Sequence, residues 1–225
     1  MNADCPLPIT NHQLPSGISI SQTPKVIHVR CASPLNVLSS AIVGSGFRRV
    51  SHLLNVHVDK DYNSTNPKAD LRALARRSGV DGPFVGLLTA VYLRKARSAF
   101  FEEDGLSVGA LITAGVGNAA SAGITKPYSY QAGTINIILL LNANLTRSAM
   151  LNAFITATEA KTAVIQARNI HTPDGDLATG TSTDTITIGT TGKGKTQNYA
   201  GSVTVLGWLI ARAVRQALGE SLDAR

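Results

Sequence analysis

Cysteine is almost missing from this chain: only Cys5 and Cys31 occur. Two thiols give neither a disulfide framework nor a metal-binding spacing, so both are expected to be reduced. Aromatic residues are scarce too, at 5% with one tryptophan. That matters for the net charge of +7, because basic clusters that read nucleic acid usually come with aromatics or a recognised reading motif. The clusters Lys68/Arg72/Arg76/Arg77, Arg94/Lys95/Arg97 and Arg212/Arg215 have neither, so they read as solvated helix faces and no nucleic-acid partner is expected. No apolar run reaches the ~18 residues of a membrane span. The opening MNADCPLPITNHQ lacks a basic patch followed by an apolar segment. A cytoplasmic location without a membrane partner is therefore the expectation.

What is present suits a packed core. With 225 residues and 44% apolar content, one domain over 18–222 is expected after a loose lead-in over 1–17. Ile18–Ile20 and Val26–Val29 read as a hairpin. The stretch from Cys31 to Gly46 fits no element, although Gly44-Ser45-Gly46 suggests a close backbone approach. Val50–Val58 alternates as a strand, with Asn55 and His57 on one face and His52 on the other. Histidines on opposite faces cannot share a metal, and no other His or Cys sits at ligand spacing, so no metal site is expected. His57 is open to two readings, a hydrogen-bonding structural residue or a site residue. A helix over 68–77 is expected, then strands over 84–90, around 98–101 and over 106–114, and a final helix over 201–222. Strands interleaved with helices predict an α/β fold: a single layered domain of mixed, mostly buried sheet with helices on the faces.

The stretch 133–188 carries most of the chemistry. GTINIILLL (133–141) is a near-continuous apolar run, which marks a strand covered on both faces. A helix is predicted to start near Thr146, burying Leu151, Phe154, Ile155, Thr158, Thr162 and Ile165 at helical spacing. That face puts Glu159 and Lys161 on opposite rims, where a perturbed acid or base could sit; solvated helix charges are the competing reading. Thr179-Gly180-Thr181-Ser182-Thr183-Asp184 then collects hydroxyls and one carboxylate before the alternating strand 185–188. Such a loop can carry chemistry or merely form turn hydrogen bonds.

Two glycine-rich segments compete for attention. Gly115 to Gly123 can offer backbone N–H groups to an anion or oxyanion. Gly189-Thr190-Thr191-Gly192-Lys193-Gly194-Lys195-Thr196 matches the phosphate-binding pattern GxxxxGK[ST] after a strand. That motif should run straight into a helix, yet Gln197-Asn198-Tyr199-Ala200-Gly201 follows, and no strand downstream supplies a magnesium-holding aspartate. Nucleotide binding stays the lesser reading.

GTINI, ATEAK (157–161) and TGTSTD (179–184), in this order and spacing, closely resemble the CbiZ family, the adenosylcobinamide amidohydrolases of corrinoid salvage. HLLNVHVDKDYNSTNP (52–67), VGALITAGVGNAASAG (108–123) and the C-terminal helix extend the resemblance from about Ser39 to Leu218. The chain departs from the family at Val43-Gly44-Ser45-Gly46, where Asn-Gly-Gly is usual. The resemblance implies hydrolysis of the amide joining aminopropanol to a propionate arm of adenosylcobinamide, giving adenosylcobyric acid. An unactivated amide needs a nucleophile, oxyanion stabilisation and a proton for the leaving amine. Glu159 or Asp184 is expected as the base for water, with Lys161 or His57 as acid or orienting group. Asn118 or the 115–118 N–H groups would polarise the carbonyl. Asn55, Asn136, Thr181 and Thr183 are expected at the substrate, with Thr181 or Thr183 as an alternative covalent nucleophile. The partner is then a small-molecule corrinoid whose cobalt comes with it, and no cofactor is expected. The competing reading is a non-catalytic corrinoid- or nucleotide-binding protein.

Overall fold

The structure is a computed structural model that describes residues 14–15, 17–127 and 133–224. Cys5 and most of the expected lead-in lie outside the described residues. Leu14, at its end, is buried in the core.

In chain order the elements are β1 (Ile18–Gln22), β2 (Val26–Ser39), β3 (Gly46–His57), α1 (Pro67–Arg77), β4 (Phe84–Thr89), a 3₁₀ turn at Leu93–Lys95, β5 (Arg97–Glu103), β6 (Leu106–Gly115), β7 (Ala119–Ala120), β8 (Thr134–Asn142), β9 (Asn144–Leu145), α2 (Arg147–Ala167), β10 (Gly180–Thr181), β11 (Thr185–Thr190), β12 (Thr196–Gln197) and α3 (Val205–Asp223). The main sheet runs β4-β3-β2-β11-β8-β6-β5, with β1 added to β2. It is mixed: β3 and β4 are parallel, as are β8 and β11, and the other ladders are antiparallel. Among the described residues, β11 alone joins the β1–β4 half to the β5, β6, β8 half.

The sheet folds over on itself. In a flat sheet β3 and β6 would lie four strands, about 19 Å, apart, yet the Asn55 amide on β3 donates to Thr113 Oγ1 on β6 at 3.0 Å. The 14-residue β2 spans the bend, and its register against β3 shifts between Arg30 and Leu35. Such an irregularity bends a strand sharply. Even-numbered residues of β8, Ile138 and Leu140, meet Ile27, Val29, Leu53, Val85 and Leu87 between the two halves. Odd-numbered ones, Ile135, Ile137, Leu139 and Leu141, pack under α2 and α3. Helix α1 covers the opposite side through Leu71 and Ala75 against Leu54 and Val56. The expected α/β layering with helices on the faces is therefore present.

Two expectations change. The unplaced segment from Cys31 is mostly the second half of β2, and the close backbone approach at its end is that of Gly44 to the neighbouring strand. Gly44 has φ of 77°, and a Cβ there would lie 2.4 Å from the Phe84 carbonyl oxygen. Helix α2 starts as predicted, with the Thr146 side chain accepting from Ala149 N–H, but its buried face is a different one. Leu151 and Ile155 are exposed, whereas Ala149, Ala153, Ala157, Ala160 and Lys161 are buried. Small side chains let the helix sit close to the sheet and to α3, so the larger apolar residues are left outside. Cys31 is buried, which pushes its thiol up to about 11. An unreactive, structural thiol results.

Candidate active site

The site forms where β8 and β11 begin side by side. Their parallel register sets Thr185 beside Asn136, so Asp184, one residue before β11, meets the first turn of β8. Ile135 N–H donates to Asp184 Oδ1 at 3.3 Å. Upstream, β10 pairs antiparallel with β7, which folds the Thr181–Asp184 turn back on itself. Thr181 N–H donates to Asp184 Oδ2 at 3.1 Å, and the Thr181 hydroxyl donates to Oδ1.

Helix α2 supplies the counter-charge. Lys161 Nζ forms an ion pair with Asp184 Oδ2, and the two side chains are 9% and 14% exposed. A buried ammonium is tolerated only with a partner of this kind. Gly180 makes the approach possible, since a Cβ there would lie 2.3 Å from both Lys161 Nζ and Asp184 Oδ2. Asp184 thus takes two donors on each oxygen: Lys161 and Thr181 N–H on one, the Thr181 hydroxyl and Ile135 N–H on the other.

Hydroxyls and amides fix the surrounding chain. Thr183 Oγ1 donates to the Gly133 carbonyl at 2.6 Å, and Thr134 Oγ1 donates to the Thr183 carbonyl at 2.8 Å. Asn118, fully buried, donates through Nδ2 to Gly133 O at 2.9 Å and to Ser182 Oγ at 2.7 Å. Asn136 Nδ2 donates to Asn55 Oδ1 and to Leu88 O, both at 2.9 Å, while its Oδ1 lies 3.3 Å from the Thr134 hydroxyl, whose proton is shared with the closer Thr183 carbonyl. With both amide protons of Asn136 engaged, Asn136 and Asn55 link the two sheet halves beneath the site.

Two hollows meet at this turn. A cavity of about 660 Å³ is lined by Lys126, Lys161, Thr181 and Ser182, among others. A second, of about 440 Å³, is lined by Ser40, Ile42, Tyr62, Leu88 and Thr134. Thr183 and Asp184 line both.

Sequence reasoning named nine residues. Asp184, Lys161 and Thr181 come into direct contact, and Thr183 lies beside them. Asn118, Asn136 and Asn55 underpin the turn as buried hydrogen-bonding residues. Glu159 does not join them: it is exposed and lines neither hollow. Two residues from Lys161 on a helix means about 200° of rotation, so burying Lys161 turns Glu159 to solvent. His57 also lines neither hollow; it is buried with Nδ1 3.1 Å from the Val91 carbonyl. Ser182 and Thr134 were not singled out, although both lie within the TGTSTD and GTINI segments. Tyr62 was missed because nothing local links it to residues 120 positions away. The phosphate-binding match fails structurally: after β11 the chain passes into β12, and α3 starts only at Val205.

Comparison with known proteins places the sequence in a family. The CbiZ family model, described as adenosylcobinamide amidohydrolase, matches residues 11–225. The chain belongs to the adenosylcobinamide amidohydrolase family. One relative is the adenosylcobinamide amidohydrolase of Methanosarcina mazei, 34% identical over 192 residues, covering 81% of this chain and 88% of that one. Another, from Halobacterium salinarum and of the same name, is 32% identical over 124 residues, or 50% of this chain and 49% of that one. Among solved structures, a Burkholderia sp. β-aminopeptidase aligns over 94% of this chain and 85% of its own at 14% identity, with a TM-score of 0.49. No helix of the described residues is long and apolar enough to cross a membrane.

Proposed function

We propose that the protein hydrolyses the amide joining aminopropanol to the propionate arm of adenosylcobinamide, releasing adenosylcobyric acid for corrinoid salvage. The observation that carries this reading is the Thr181–Asp184–Lys161 contact on the wall shared by two hollows. Both hollows fall in the size range of small-molecule sites. A corrinoid exceeds either one, so the substrate lies across the shared wall with its scissile arm at Asp184. Cobalt arrives inside the substrate and the protein brings no cofactor of its own. The reaction is assigned to the cytoplasm, with no nucleic-acid partner.

The saturated carboxylate favours Thr181 over water as nucleophile. A water could reach Asp184 only by displacing one of its four donors, whereas the Thr181 hydroxyl already lies on Oδ1. In the proposed sequence Thr181 Oγ attacks the amide carbon while its proton passes to Asp184. The Lys161 ammonium faces the oxyanion. Asp184 gives the proton to the departing amine, leaving an ester on Thr181. Water then cleaves that ester, with Asp184 accepting its proton and returning it to Thr181.

Incubation with adenosylcobinamide and chromatography of the products tests the activity; adenosylcobyric acid and aminopropanol are expected, and unchanged substrate would refute it. Thr181→Ala separates the two nucleophiles. Loss of at least a hundredfold in kcat with a folded protein supports Thr181, and near-native turnover assigns the water route.

A further inference from the structure

The outer face of the β2–β3 ladder carries a second cluster that the reaction does not use. His28 lies opposite Leu54 and His52 opposite Arg30, so the two histidines are diagonal neighbours on one face. Their facing nitrogens, His28 Nε2 and His52 Nδ1, are 3.0 Å apart, with ring centroids at 5.1 Å and planes inclined by 46°. Among the described residues neither ring has a carboxylate partner, and both are partly exposed. Alternation along β3 puts this cluster on the opposite side of the sheet from Asn55 and His57.

We propose that His28 and His52 form a two-imidazole chelate for a late first-row divalent cation such as Ni²⁺, Cu²⁺ or Zn²⁺. Imidazole nitrogens bind such ions at about 2.0–2.1 Å, so two of them at angles between 90° and tetrahedral lie roughly 2.9–3.4 Å apart. The observed separation falls in that span, and entry of an ion needs ring rotation but no strand movement. Imidazole is a suitable donor for these metals. The proton now shared between the facing nitrogens moves to an outer nitrogen, so a neutral pair binds the ion with no net proton loss. Ser21, paired with His28 across β1, and water complete the coordination. Arg30, opposite His52, opposes the cation and sets an upper limit on affinity. The bound ion would clamp β2 to β3.

Calorimetric titration of the untagged full chain with Ni²⁺ tests the site. His28→Asn and His52→Asn should each weaken binding at least tenfold, and Arg30→Gln should tighten it severalfold. Should an asparagine variant not fold, His52→Gln takes its place, with circular dichroism as the check on folding. Equal Ni²⁺ affinity in the wild type and the histidine variants, or no uptake by the wild type, would leave the pair as a hydrogen bond alone and overturn the assignment.

Discussion

Gly180 shows how narrowly the proposed catalytic contact is built. A Cβ there would intrude on Lys161 Nζ and Asp184 Oδ2 at 2.3 Å, and both atoms are side-chain ends that can retreat. Gly180→Ala should therefore separate the ion pair rather than unfold the chain, costing tenfold or more in kcat while the melting temperature moves by only a few degrees. Lys161 and Asp184 themselves form a test by double-mutant cycle. Removing one partner of a buried pair strands the other charge, at roughly 3–5 kcal/mol. Denaturant unfolding of Lys161→Met, Asp184→Asn and the double variant should give a double cost at least 1 kcal/mol below the sum of the singles. At this scale the sequence was informative wherever partners adjoin: Thr181 and Asp184 share one short hydroxyl-rich turn. It could not tell Glu159 from Lys161, since their roles depend on which side of α2 faces the sheet.

That orientation is an element-scale property, and the composition of α2 hides it. Leu151, Phe154 and Ile155 form the more apolar stripe, but Ala149, Ala153, Ala157 and Ala160 form the flatter one, and close contact with β11 and α3 selects flatness. Leu151→Glu should change stability by no more than about 0.5 kcal/mol, whereas Ala153→Leu overpacks the interface and should cost about 1–3 kcal/mol. Urea midpoints of the two variants decide between the faces. The strands were easier to read because β8 and β6 are buried on both sides. The fold-over of the sheet was not legible: it depends on an irregularity in β2 and on amide pairs, Asn55 with Thr113 and Asn136, that are far apart in sequence.

For the molecule as a whole, acid sensitivity follows from two surface carboxylates. The Ser64 and Tyr62 hydroxyls hold Asp70 below its ordinary value, and the Arg168 guanidinium, donating two bonds, does the same for Asp223. Groups with depressed folded values stabilise fully above the unfolded value, about 3.9 for Asp, and lose that contribution as pH falls through the lower folded values. Melting temperature should hold steady above about pH 4 on account of these groups and drop below it, and Asp223→Asn should make that drop shallower. Thermal scans from pH 2 to 6 measure the difference.

The place of β11 in the sheet has a bearing on synthesis. A ribosome delivers both half-sheets before it delivers the strand that joins them, and the Thr181–Asp184 turn emerges just ahead of that strand. Nascent chains ending before residue 190 hold two unjoined halves and an unanchored turn. Closure of the sheet and anchoring of the turn therefore come within the same few residues of translation, while the cover that α3 gives β8 comes only after them.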